Sequence, residues 1–123
     1  MKVSNWNDIP SERVTPLQTR QVIHTPESTI VRLVSLKGAV VPMHQHVHEQ
    51  VTMLESGCFR FEMRGEMKVL RPGDVLQIES EVPHQAEALE DSVTIEVFVP
   101  ARKDWIGEGQ QILATSSREA DRN

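Results

Sequence analysis

The sequence predicts an all-β sandwich or barrel. Three observations carry that expectation: many short β-branched segments at even spacing, turn-forming residues between them, and hardly a helix signal in the chain. In chain order, the first ten or so residues and Pro16 read as an irregular lead-in. Thr19–His24 and Thr29–Leu36 are rich in Thr, Val and Ile, which fit a pleated surface, and they flank Thr25-Pro26-Glu27-Ser28, where Pro presets a turn dihedral. Val40–His46 follows Lys37-Gly38, and Gln50–Leu54 is divided from Cys58–Met63 by Glu55-Ser56-Gly57. Met67–Leu70, Asp74–Ile78, His84–Leu89 and Ser92–Val99 complete the set, with Arg64-Gly65-Glu66, Arg71-Pro72-Gly73 and Glu90-Asp91 among the separators. From Ala101 a short turn or helix is expected around Trp105, and Ser116–Asn123 reads as a polar, frayed tail. No internal repeat or low-complexity segment is visible.

Composition bounds the function classes. The 123 residues fit one core, so a single domain over 1–123 is expected, with its barrel core at about 28–100. No apolar run approaches the ~20 residues that span a bilayer, so no membrane segment is expected. The N-terminus lacks the apolar stretch of a signal peptide, and the single Cys58 cannot form an internal disulfide, so a reducing cytoplasm is the expected compartment. A formal charge of −5 with no Lys/Arg cluster argues against nucleic acid as a partner.

The histidines carry the chemistry. They stand in the pattern Gly38-x5-His44-x-His46-x3-Gln50-x6-Gly57, followed by Pro72-Gly73-Asp74 and Pro83-His84. On one continuous strand, alternate residues share a face roughly 6 to 7 Å apart, which puts His44, His46, His48 and Gln50 on the same side. Two imidazoles of such a row can hold one divalent ion if a third ligand comes from another strand, and His84 is the candidate. Three imidazoles aimed at one point inside a barrel pay desolvation unless something occupies their lone pairs, and a metal is the simplest occupant. Gln50 has two readings, a neutral amide-oxygen ligand or a hydrogen-bonding partner of the ligands. His48 points the same way and is a candidate for lining the mouth or orienting a partner. His24 lies outside the pattern and reads as an ordinary polar residue.

A cage of three His and one Gln contributes no negative charge, so the ion keeps its full double positive character and favours anionic or carbonyl-bearing ligands. Zinc, nickel, manganese and iron(II) all accept imidazole, so the pattern implies one divalent ion per chain without choosing among them. Any catalytic carboxylate must then come from elsewhere. In Ser92–Val99, Thr94, Glu96 and Phe98 share one face, and Glu96 sits among apolar neighbours. Facing the cavity, it would be a carboxylate with a raised pKa suited to acid–base work; facing solvent, it would be simply wet. Arg60, Glu62 and Arg64 alternate with Phe59, Phe61 and Met63 and read as a solvated face over a core face, polar cavity lining being the other option.

Over residues 28–100 these motifs resemble the cupins. The first cupin motif is met at every position except the carboxylate, where Gln50 stands, and the second is met at Pro72-Gly73-Asp74 and Pro83-His84, with Ala88 where Asn is usual. The resemblance implies a double-stranded β-helix, the jelly-roll or RmlC-like barrel, with short irregular terminal extensions and His44, His46, Gln50 and His84 as metal ligands. A closer resemblance is to the small KdgF-type cupins, which convert unsaturated uronates from pectin or alginate breakdown into linear keto-sugar acids. Their first motif reads like His44-Gln45-His46-Val47-His48-Glu49-Gln50. Their last strand carries an acid-x-Phe-x3-Arg element, met here by Glu96, Phe98 and Arg102 with Glu in place of Asp. That likeness implies Lewis-acid chemistry on a small anionic substrate, with Arg102 on its carboxylate, and a homodimer. Two other readings stand beside it: an iron- and oxygen-dependent cupin dioxygenase, and a non-catalytic module that binds a small ligand or metal.

Overall fold

The computed structural model of the chain describes residues 1–106. Ten strands run β1 (Glu12–Thr15), β2 (Gln18–His24), β3 (Thr29–Ser35), β4 (Val40–His44), β5 (Glu49–Ser56), β6 (Phe59–Met63), β7 (Glu66–Leu70), β8 (Val75–Ile78), β9 (His84–Ala88) and β10 (Ser92–Val99). A 3-10 turn at Trp6–Asp8 precedes them, and a one-turn helix α1 (Lys103–Ile106) follows. The strands form two antiparallel sheets, one of six in the order β1-β2-β3-β10-β5-β8 and one of four in the order β4-β9-β6-β7. From β3 onward the chain passes repeatedly between the sheets, which is the jelly-roll arrangement expected of the sequence.

Side-chain parity explains where the interior lies. In β3, Thr29, Val31, Leu33 and Ser35 are buried while the residues between them are half-buried; in β10 the same holds for Ser92, Thr94, Glu96 and Phe98. The apolar face of β10, formed by Val93, Ile95, Val97 and Val99, is therefore the outer one, and Glu96 looks inward. Between the sheets lies an apolar cluster that includes Leu54, Phe59, Phe61, Leu70, Ile78 and Val82. Phe59 and Phe61 thus fill the core. On the opposite face of β6, Arg60 pairs with Glu87 at 2.8 Å, and Arg64, in the turn that follows the strand, is exposed, as the solvated-face reading expected. A smaller cluster of Val22, Val31, Leu33 and Phe98, with Trp105 packed against it, closes the other end.

Two local expectations are corrected. The lead-in is not irregular throughout, because Glu12–Thr15 pairs with β2, Glu12 opposite Arg20. Its four residues, Glu-Arg-Val-Thr, show no apolar alternation that would announce a strand. The strand expected over Val40–His46 ends at His44, so residues 45–48 form the connection into β5 and do not continue a strand face. A short helix around Trp105 is present, while the expected tail at Ser116–Asn123 lies outside the described residues. Gly57 has φ +92°, and a Cβ there would collide with the Asp91 carbonyl and Ser92 Oγ, which is why the turn closing β5 requires glycine.

Candidate metal centre and the cavity beside it

Three elements assemble the histidines. β4 and β9 pair with His44 directly opposite His84, after an irregularity between Val41 and His44, and the two rings lie 4.3 Å apart between centroids. His46 arrives from the connection between β4 and β5, its ring 5.0 Å from that of His84 and 5.3 Å from that of His44. One nitrogen from each of the three falls within 4.8 Å of the others, the grouping expected of metal ligands. His48 does not join the three. It is buried beside Phe98, and its Nε2 lies 3.7 Å from an Asp104 carboxylate oxygen.

The residues fit a cation. Each Nδ1 of the triad is already engaged by a main-chain carbonyl: His44 by Pro42 at 2.8 Å, His46 by His48 at 2.9 Å and His84 by Val82 at 2.8 Å. A neutral imidazole that donates from Nδ1 presents a lone pair at Nε2, so the three Nε2 atoms converge as acceptors. Among the described residues, His84 Nε2 is buried without a hydrogen-bond partner. Burial, together with neighbouring positive groups, lowers the pKa of His46 and pulls that of His84 down to about 4, so both rings stay neutral at neutral pH.

Gln50 adds a fourth group. Its Oε1 lies 3.2 Å from His46 Nε2, and its amide nitrogen donates to Thr52 Oγ1 at 2.9 Å and to Glu96 Oε2 at 3.2 Å. Those two acceptors fix which way the amide points. The amide oxygen then faces the imidazole lone pair, two acceptors opposed, a conflict that a cation between them resolves. Cross-strand register creates this contact: β10 lies between β3 and β5, placing Glu96 opposite Thr52 and Phe98 opposite Gln50.

Glu96 is buried, and desolvation raises its pKa to about 7 against the opposing effects of the Thr52 hydroxyl and the Arg102 charge. A carboxyl group poised near neutrality can both accept and return a proton. Arg102 is also buried. Its Nε and one terminal nitrogen donate to the two oxygens of Asp104 at 3.0 and 2.8 Å, and its guanidinium lies 4.7 Å from the Phe98 ring centre. The arginine in turn holds the Asp104 carboxyl below the ordinary carboxylate range.

These groups share a cavity of about 440 Å³, lined among others by His44, His84, Gln50, Glu96, Phe98 and Arg102. The triad, Gln50 and the Glu96–Phe98–Arg102 element are thus brought to one place. Sequence reasoning missed Thr52, Arg20 and Trp105. Two guanidinium groups stack on Trp105, Arg20 at 4.2 Å and Arg102 at 4.1 Å from its ring. No motif marks that stack, because it joins β2 to α1 across more than eighty residues. His24 bonds Thr29 Oγ1 at 2.7 Å on the sheet, consistent with an ordinary polar role.

A jelly-roll barrel with a His triad at one end defines a class, and comparison agrees: residues 31–100 match the cupin domain, and the chain belongs to the cupin family. Within it, the chain is similar to the pectin degradation protein KdgF of Dickeya dadantii (strain 3937), 33% identical over 72 residues covering 57% of this chain. That match spans 66% of the Dickeya protein's own length. KdgF from Halomonas sp. superimposes with a TM-score of 0.75 at 36% identity, over 80% of this chain and 94% of that one. An RmlC-like cupin from Shewanella frigidimarina superimposes with a TM-score of 0.78 at 30% identity, over 82% and 92% of the two chains. Among the described residues no helix is long and apolar enough to cross a membrane.

Proposed function

We propose that this cupin is a metal-dependent enzyme that opens unsaturated uronates to linear keto-sugar acids. The observation that carries the reading is Glu96: a buried carboxyl group, hydrogen-bonded to the same Gln50 whose oxygen faces the His triad, in a cavity it shares with Arg102. The similarity to KdgF proteins supports the substrate class. His44, His46, His84 and Gln50 would hold one divalent ion, zinc, nickel, manganese or iron, which when bound supplies Lewis acidity to a substrate oxygen. With no carboxylate among those four groups, the proton work falls to Glu96.

The linearisation is an isomerisation and balances without a co-reactant. The ring hemiacetal hydroxyl gives up its proton, a carbonyl forms as the ring C–O bond breaks, and the former alkene carbon gains a proton as the released enol becomes a ketone. Glu96, with its pKa near 7, takes the first proton as carboxylate and returns one as the acid. Phe98 packs against the His46 ring at 5.7 Å and against the Arg102 guanidinium, keeping apolar surface between the ion site and the cation. Arg102 supplies positive charge to the substrate carboxylate.

The test is metal analysis of the purified protein together with loss of the conjugated-alkene absorbance of an unsaturated uronate. Glu96→Gln should lower turnover by about 10²- to 10⁴-fold while metal content stays at the wild-type level. Unchanged turnover would remove Glu96 from the chemistry. Saturable binding of a uronate that is never altered would make the protein a binding module. The same proposal includes a homodimer formed along the outer edge of the six-stranded sheet, where β1 has only β2 as a neighbour. Sedimentation velocity of the purified chain checks it.

A further inference from the structure

We propose that Arg20, on β2, is a substrate-binding residue of this cavity and takes the carboxylate of the bound acid through its end-on pair of terminal nitrogens. This rests on the uronate reading above and deepens it. Arg20 lines the same cavity as His44, His84 and Glu96. It projects inward with Gln18 and Val22, the buried residues two positions either side of it.

Its surroundings hold the guanidinium as a receptor would. Nε donates to Glu12 Oε1 at 2.7 Å, and the flat face lies 4.2 Å from the Trp105 ring. Those contacts fix the plane and its rotation, while neither terminal nitrogen makes a hydrogen bond among the described residues. Arg102, stacked on the same tryptophan, is the opposite case. Asp104 already occupies its Nε and one terminal nitrogen with both carboxylate oxygens. A planar carboxylate needs two parallel N–H donors, and Arg20 keeps that pair intact. An arginine only 16% exposed with an unused fork is costly unless something polar enters the cavity. Arg102 then supplies charge and packing, and Arg20 the directional contact.

Trp105 offers the readout. In a Trp6→Phe background, fluorescence of Trp105 in the metal-loaded protein is followed during titration with galacturonate, a uronate with no alkene, and with neutral galactose. The acid should give a saturable change and galactose none. Arg20→Gln should weaken galacturonate binding by about 10- to 100-fold, the scale of a lost charge-assisted pair. Arg20→Lys, which keeps the charge and loses the fork, should fall between and serves if Arg20→Gln does not fold. Glu12→Gln keeps an Oε1 to accept from Nε and so still sets the guanidinium, and it removes only the competing negative charge, so it should bind the acid as tightly as wild type or tighter. A purely structural role for Arg20 requires Glu12→Gln to weaken binding as well.

Equal affinity in wild type and Arg20→Gln, no response of the wild type to galacturonate, or a Glu12→Gln loss matching that of Arg20→Gln each overturns the assignment. Turnover separates the two proposals. If unsaturated uronate is not consumed but galacturonate binds through Arg20, the linearising reading falls and Arg20 stands. If it is consumed with an unchanged KM in Arg20→Gln, Arg20 falls alone.

Discussion

The interior of this barrel has an apolar half and a polar half, and the same strands build both. Along β5 the inward row runs Leu54, Thr52, Gln50; along β9 it runs Ala88, Ala86, His84. At the Leu54 and Ala88 end these rows meet Phe59, opposite Ala88, and its strand partner Leu70, 2% and 6% exposed, with no side-chain polar atom to satisfy. At the other end they meet Glu96, Phe98, Arg102 and the His triad. One half gains free energy from removing apolar surface from water; the other carries the cost of desolvating a carboxylate, two cations and three imidazoles. The difference teaches that the site is sustained by packing to which it contributes little.

The largest expected effect falls on the polar half. His84→Ala removes the most deeply buried histidine of the triad, and metal content after dialysis should drop from about one ion per chain to near background. The loss of affinity should exceed the roughly 10- to 100-fold that follows when only a hydrogen-bond partner of a ligand is removed. Elemental analysis and a zinc or nickel titration measure it. Retention of the ion at wild-type affinity would show that the converging Nε2 atoms are not its ligands.

The apolar half should answer in the other currency. Phe59→Ala opens a void against Phe61, whose ring centre is 5.6 Å away, and should cost about 3 to 5 kcal/mol in urea unfolding. Below its transition the variant should bind metal as wild type does. If Phe59→Ala lost metal affinity in proportion to stability, the two halves would not be separable.

How legible all this was in the sequence follows the same division. The proposed ligands His44, His46 and His84 stood out because Gly57 and the turn at Pro72-Gly73-Asp74 constrain the backbone locally; Asp74 caps its own turn by accepting from Arg71 N–H at 2.8 Å. The route taken by His46 was not legible, because a period-2 pattern cannot show that the strand ends at His44 and that residues 45–48 cross between sheets. Glu96 was readable as a candidate but not as inward-facing: the valines and isoleucine beside it looked like the core face, yet they cover the outside. Arg20, Glu12 and Trp105 gave no signal, since what unites them is tertiary: the stack of Arg20 on Trp105, and the pairing of Arg20 with Glu12 through a strand too short to announce itself.

The smallest effect, and the sharpest test of what the polar half costs, is the pH dependence of stability in metal-free protein. Glu96 ionises near 4.5 when unfolded and at about 7 when folded, so the native state holds the extra proton between those values. Its contribution to stability is therefore fully present below about pH 4.5 and is lost as pH rises through 7. His84 acts at the other side: its pKa falls from 6.5 to about 4 on folding, so its contribution is present above 6.5 and is lost as pH falls toward 4. The two slopes oppose each other in wild type and flatten the curve, which is why the variant is informative. Glu96→Gln removes one slope, so its stability relative to wild type should rise between pH 4.5 and 7, by on the order of 3 kcal/mol in total, and level off above. Urea unfolding at intervals across that range, with chelator present, reads the difference directly. A flat difference would mean that Glu96 is solvated and ionises as an ordinary surface carboxylate, and the polar half would then carry no buried acid.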